Sequence, residues 1–202
     1  MKRIAAGVDL TNISKVAVEK KEYDGCFLGR LQPQKGLSDL VDIWDHICKN
    51  KPDAKLAIIG KGSPQFENFL KNKINGKNLE RNINLVGFLE EKEKFKIMKS
   101  SKVFVFPSTY ESWGLAVCEA MACGLPVVAY DLPIFRLIYP NGLVFVPVGN
   151  KRFFAESVLK IIRDKKIRKK ISHDAIRMAS TYGWDKIAHD SFKAFLAILN
   201  KT

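Results

Sequence analysis

The stretch Pro107-Ser108-Thr109-Tyr110-Glu111-Ser112-Trp113-Gly114-Leu115-Ala116-Val117-Cys118-Glu119-Ala120-Met121-Ala122-Cys123-Gly124 holds the residue types best suited to chemistry. Glu119 is the only charge between Leu115 and Cys123, a run that is otherwise apolar all round a helix. A lone carboxylate there is costly unless hydrogen-bond donors satisfy it. The two vicinal hydroxyls of a ribose would do so, and so would a structural Arg or Lys. Glu111 lies in the loop before the helix and could face the same ligand. Gly114 lets a phosphate approach the free N–H groups of the helix N-terminus, whose dipole favours anions.

A second candidate is Gly29-Arg30-Leu31-Gln32-Pro33-Gln34-Lys35-Gly36, which sets two cations five residues apart on a turn held by Pro33 and Gly36. A fixed guanidinium and ammonium can share the charge of a diphosphate, although an ordinary loop with solvated bases would read the same way. Gly60-Lys61-Gly62 is a fragment of a dinucleotide fingerprint with Gln65 where the third glycine belongs, and no Gly-Lys-Ser/Thr phosphate loop occurs. It signals close backbone approach and no more.

These residues must be positioned by an alternation of short β-rich runs and helical periods. Strands are expected at 26–29, 55–60, 83–87, 103–106, 126–130 and 143–146. Helices are expected from Leu37 to Lys49, around Phe66, Phe69 and Leu70, from Glu90 to Met98, and from Leu115 to Cys123. Continuous apolar strands separated by helices imply an α/β fold, a doubly wound parallel sheet covered on both faces. Such a sheet binds ligands at the carboxyl ends of its strands, which here carry Gly29, Gly60, Gly62, Gly87, Ser108 and Gly114.

The 202 residues are about half apolar, enough for one sizeable core. Lys and Arg number 34 against 21 Asp and Glu, a net charge of +13 that favours an anionic partner. No apolar run approaches the ~18 residues that span a bilayer, and the opening Met-Lys-Arg-Ile-Ala-Ala-Gly-Val-Asp reaches an acid too soon for a signal peptide. Cys26, Cys48, Cys118 and Cys123 show no CxxC spacing and read as reduced core residues of a cytoplasmic protein. With no histidine pair beside them, zinc is not expected.

Residues 151–170 hold nine cations against Glu156 and Asp164, which is +7 of the +13. Apolar residues recur there at helical spacing with a break near Asp164, so the block reads as the polar face of two surface helices. That face is either simply solvated or peripheral at an anionic membrane surface. Nucleic acid is not expected, because no aromatic platform or recognition motif accompanies the charge.

Phe27-Leu28-Gly29-Arg30 with Lys35-Gly36, Pro107-Ser108 with Glu111-x7-Glu119, and Glu119-Ala-Met-Ala-Cys-Gly-Leu-Pro-Val-Val resemble the carboxyl-terminal domain of family 4 glycosyltransferases of the GT-B fold. The likeness covers about residues 7–195. It implies a lead-in over 1–24 whose Gly7-Val8-Asp9 resembles an interdomain hinge, a Rossmann-like nucleotide-sugar domain over 25–182, and a terminal helix over 183–202 returning towards a first domain. The resemblance further implies that Arg30 and Lys35 bind the diphosphate and stabilise the leaving group, and that Glu119 accepts the ribose hydroxyls. Leu89 would offer its backbone to the base, Glu111 would face the donor sugar, and the backbone of Gly29, Gly114, Leu115 and Ala116 would meet donor oxygens.

The resemblance implies a retaining transfer from a UDP-, GDP- or ADP-sugar with no cofactor, and the absence of an Asp-x-Asp motif agrees with a metal-independent mechanism. Leu132-Pro133-Ile134-Phe135-Arg136-Leu137 departs from the family's Gly-Gly pair and following Glu. The chain opens at the hinge, so it is expected to be an excised domain, a split subunit or a degenerate homologue, inactive without an acceptor-binding partner. The alternatives are a non-catalytic partner module, a nucleotide-sugar epimerase or a sugar phosphorylase.

Overall fold

The computed structural model describes residues 6–18 and 20–199. The first five residues of the lead-in, Glu19, and the last three residues of the terminal helix lie outside the described residues.

Among the described residues, six strands form one parallel sheet: β1 (Tyr23–Leu28), β2 (Leu56–Ile59), β3 (Ile83–Gly87), β4 (Ser101–Phe106), β5 (Val127–Tyr130) and β6 (Leu143–Val146). Their spatial order is β3-β2-β1-β4-β5-β6, and every neighbouring pair runs parallel. The chain builds outward from β1 to β3, then returns to lay β4 against β1. The strand order therefore reverses between β1 and β4, where doubly wound sheets open a crevice for ligands.

The helices are α1 (Leu10–Lys15), α2 (Leu37–Asn50), α3 (Pro64–Asn75), α4 (Glu91–Lys99), α5 (Leu115–Ala122), α6 (Pro133–Ile138), α7 (Lys151–Arg163), α8 (Lys165–Ala179) and α9 (Trp184–Leu199). The apolar stripe of α2, with Leu40, Val41, Ile43, Trp44 and Ile47 buried, packs against α3 and α7, while α5 packs on α8. Strands β2 and β5 are buried along their whole length, as sheet strands covered on both faces must be.

The expected strands and helices are all present, with boundary shifts. β1 starts at Tyr23 rather than Cys26 because Asp24, an unpromising strand residue, is buried by partners: Lys102 at 2.8 Å, Lys51 at 3.3 Å and the Lys55 amide at 3.1 Å. The break near Asp164 is a cap, whose carboxylate accepts from the amides of Lys166 and Ile167 and so starts α8 as α7 ends. Two six-residue helices, α1 and α6, were not anticipated. Cys26 and Cys118 are buried, Cys48 and Cys123 half-buried, and all four are free. Burial pushes the Cys26 thiol up to about 12 and that of Cys48 to about 11, so they stay protonated.

Gly7-Val8-Asp9 and Tyr182-Gly183-Trp184, read as hinge and helix start, lie side by side. Val8 bridges Gly183, its amide donating to the Tyr182 carbonyl at 2.8 Å and its carbonyl accepting from the Trp184 amide at 3.2 Å.

Candidate functional site

The loops after β1 and β4 meet at the switch point and are locked together. The Gln34 carbonyl accepts from the Thr109 amide at 2.9 Å and from the buried Ser108 hydroxyl at 3.0 Å. Gly36 has φ +69°, and a Cβ there would sit 1.7 Å from the Pro107 carbonyl oxygen. Only glycine permits both the turn and this approach. Gly60 and Gly62 serve the chain itself: an added Cβ would lie 1.9 Å from the Gly29 oxygen and 2.3 Å from the Leu31 oxygen. The close backbone approach read from Gly-Lys-Gly is therefore real, and its object is the neighbouring loop.

This clamping places Lys35 and Glu111 in direct contact, Nζ to Oε1 at 2.5 Å, with side chains 17% and 7% exposed. The Lys35 ammonium also sits 5.7 Å from the centre of the Phe106 ring. Three residues beyond Glu111, Gly114 adopts φ 81°, ψ 51° as the N-cap of α5. One residue of α6 and the residue that caps its end hold that turn. Phe135 packs where a Gly114 Cβ would be, and the buried Tyr139 hydroxyl donates to the Gly114 carbonyl at 3.3 Å. The amides of Leu115 and Ala116, first in the helix, have no intrahelical acceptor.

Glu119 lies one turn into α5, its side chain 14% exposed, and accepts from Lys94 of α4 at 2.9 Å through Oε1. Of the two satisfiers weighed from the sequence, the structure supplies a structural lysine. Oε2 carries no hydrogen bond among the described residues, so half of the carboxylate is open to a further donor. Lys94 was missed by sequence reasoning. It sits in Glu90-Glu91-Lys92-Glu93-Lys94-Phe95-Lys96, whose alternating charges read as a solvated face, and nothing local marks one lysine as turned inward.

Leu89 is half-buried just after β3 and leads directly into α4. The Lys94–Glu119 pair thus ties the segment after β3 to the carboxylate of α5. Gly29 ends β1, its amide bonded to the Ile59 carbonyl at 3.1 Å. Arg30 stands apart, exposed and with no ion pair or hydrogen bond among the described residues. So the structure brings Lys35, Glu111 and the α5 N-terminus together, sets Glu119 one turn away, and leaves Arg30 free at the rim. The departure at Leu132–Leu137 folds as α6, with Pro133 at its first turn, and Arg136 turns back to Asp131 at 2.7 Å and over the Phe145 ring. That stretch supports Gly114 from behind through Phe135.

Such a site can hold an anion between the fixed Lys35, the free Arg30 and the helix amides, beside a carboxylate with one oxygen open to hydroxyls. Residues 9–178 match the family of glycosyl transferases group 1. The phosphatidyl-myo-inositol mannosyltransferase of Mycobacterium leprae is 31% identical over 173 residues, covering 84% of this chain and 45% of that protein. The chain spans about half the length of the curated relatives it matches.

Among solved structures, HepE of Anabaena in complex with UDP and glucose superposes with a TM-score of 0.81 at 21% identity, over 95% of this chain and 55% of that one. The C-terminal domain of a glycosyl transferase group 1 family protein from Francisella tularensis gives 0.76 at 22% identity, over 88% of this chain and all of that one. With residues 9–178 matching the family, this chain belongs to the glycosyl transferases group 1 family, and it shares the fold of the solved GT-B glycosyltransferase structures.

Proposed function

We propose that this domain holds a nucleotide-diphosphate-sugar for retaining, metal-independent glycosyl transfer, completed by an amino-terminal acceptor-binding domain or subunit. The observation that carries the reading is the Lys35–Glu111 pair beside the α5 N-terminus at the sheet's switch point. An ammonium has three donors, so Lys35 can keep Glu111 and still reach a phosphate oxygen. Arg30, free at the rim, would join it, and together they would neutralise the diphosphate as it leaves. The amides of Leu115 and Ala116, exposed by the Gly114 turn, would take phosphate or sugar oxygens.

Glu111 would thereby face the sugar. Oε2 of Glu119 would accept a ribose hydroxyl, with Lys94 holding the other oxygen, and the Leu89 backbone would meet the base. HepE, solved with UDP and glucose, supports a nucleotide-sugar as the ligand class. The exposed apolar residues Phe192, Phe195, Leu196 and Leu199 of α9 suit burial against the acceptor-binding partner. Without that partner the domain would bind donor and transfer nothing.

Calorimetry of this chain with UDP, GDP and ADP, with and without a chelator, tests the reading. Binding of one nucleotide, unchanged by chelation and weakened by Arg30→Ala or Glu119→Ala, is expected. Failure of all three to bind, or binding indifferent to both substitutions, removes it.

A further inference from the structure

We infer that the outer face of α8 is an adsorption surface for anionic lipid bilayers, separate from the donor site. Residues 151–170 carry nine cations, and the structure divides them by type. The arginines are consumed within the molecule. Arg152 pairs with Glu156 at 3.0 Å, Arg163 donates to the Asn50 carbonyl at 2.9 Å, and Arg168 caps the end of α7 by donating to the Ile161 and Ile162 carbonyls at 2.9 Å. Lys151 is likewise spent on Asp39 and Asp42. What remains is five lysines, Lys160, Lys165, Lys166, Lys169 and Lys170, all exposed and none with an ion pair or hydrogen bond among the described residues.

Four of the five lie on α8 opposite its packed residues Ile167, Ile171, Ala175 and Met178. At 100° per residue, Lys165, Lys166, Lys169 and Lys170 fall in one arc of about 140°, which His173 and the half-exposed Ile176 extend for roughly 18 Å along the helix. No acid enters that arc. Asp164 is occupied as the N-cap, and Asp174 at its border pairs with Arg177 at 3.0 Å. Helix α4 shows what an ordinary solvated face looks like on this chain: Glu91, Lys92, Glu93 and Lys96 are all exposed and mix both signs. The α8 stripe is single-signed over a comparable length.

The chemistry of the stripe selects the occupant. Lysine is a mobile point charge, whereas the planar fork of arginine recognises individual phosphates and carboxylates. A surface that keeps its lysines free and its arginines engaged suits diffuse negative charge rather than one fixed anion. No exposed Phe, Tyr or Trp lies in the arc, and the single imidazole of His173 makes no platform for successive bases. A half-exposed isoleucine among lysines suits the boundary of a bilayer.

The test is co-sedimentation of this chain with vesicles of phosphatidylcholine containing about one-third phosphatidylglycerol, at low and physiological salt. Each lysine near such a surface contributes about fivefold in partition. The quadruple variant Lys165→Gln, Lys166→Gln, Lys169→Gln, Lys170→Gln should therefore lose binding by at least two orders of magnitude while melting at the wild-type temperature. A control variant with the same charge change, Lys20→Gln, Lys71→Gln, Lys92→Gln, Lys96→Gln, should keep most of it.

Any of four results overturns the inference: no binding at low salt, equal binding to pure phosphatidylcholine, equal loss in the control, or persistence in the α8 variant. The second and fourth would point to the apolar face of α9 instead. Retention on duplex DNA that the α8 variant abolishes, with none on vesicles, would assign the stripe to nucleic acid and overturn it too.

Discussion

Two sets of lysine–carboxylate pairs in this molecule are built on different plans. On the surface where α2 meets α3 and α7, each acid is shared. Asp42 contacts Lys73 at 2.9 Å, Lys77 at 3.4 Å and Lys151 at 2.8 Å, and Asp45 contacts Lys49 and Lys77. At the carboxyl end of the sheet each acid has one lysine and uses one oxygen, Glu111 with Lys35 and Glu119 with Lys94. A many-to-one ladder satisfies its carboxylates and resists exchange. A one-to-one pair leaves a lone oxygen and spare ammonium protons, which is the valence a ligand needs. The difference separates charges whose valence is used up in holding helices together from charges that keep some of it free.

The largest effect should come from attacking the carboxyl end of the sheet, at Glu119 of the one-to-one set and at the unpaired Arg30. Arg30→Ala with Glu119→Ala removes two charge-assisted contacts to a bound nucleoside diphosphate, each worth on the order of tenfold or more. Calorimetry should show about a hundredfold loss of affinity, with a modest fall in the urea midpoint because Glu119→Ala leaves Lys94 unpaired. A falling midpoint with affinity unchanged would erase the distinction between the two sets.

Asp42→Asn should do the reverse. It breaks the hub of the ladder and should lower unfolding free energy by about 1 kcal/mol, since the pairs are partly solvated, while nucleotide affinity stays as it was. Chemical denaturation and calorimetry on the same variant decide the point.

Acid sharpens the comparison further. Burial pushes the Asp42 carboxyl up, but Lys151 and Lys73 outweigh it and hold the group below its ordinary 3.8. Asp45 is held below 3.8 in the same way, by Lys49 and Lys77 against burial. A carboxyl depressed by folding contributes stability that is complete above about pH 4 and lost as the pH falls through the folded value. The wild type should lose stability along that limb, and Asp42→Asn should flatten it. An unchanged limb would mean the ladder is electrostatically idle.

The smallest effect belongs to Arg152→Ala. Its pair with Glu156 is an i,i+4 contact between side chains 84% and 57% exposed, and the melting temperature should move by less than a degree or so.

Much of this arrangement can be read from the chain. The six strands and the long helices follow from runs of apolar residues at the two elementary periods, and the capping residue Asp164 shows as a single acid between basic turns. What escapes is set by partners distant in sequence. The start of β1 was missed because Asp24 is buried only by virtue of Lys51 and Lys102. The helices α1 and α6 have six residues each, less than two turns, too few for a period to declare itself. Glu111, Lys35 and Glu119 were legible as candidates because each is odd for its surroundings. Lys94 looked ordinary for its own, and its partner lies 25 residues on. The hydrogen bond from Tyr130 to Asp39 at 2.9 Å joins β5 to the first turn of α2 and was equally invisible.

The Ser108 hydroxyl and the Gly36–Pro107 contact fuse the loops after β1 and β4 into one piece. The fusion restricts how this end of the molecule can diversify. A residue inserted into either loop at the seam must be matched in the other, whereas the Tyr110 side chain at the tip, 72% exposed, carries no such obligation even though its carbonyl accepts from Ser108 at 3.0 Å. Descendants of this sequence, natural or made in the laboratory, should therefore vary first at that tip and keep the seam as a single heritable unit.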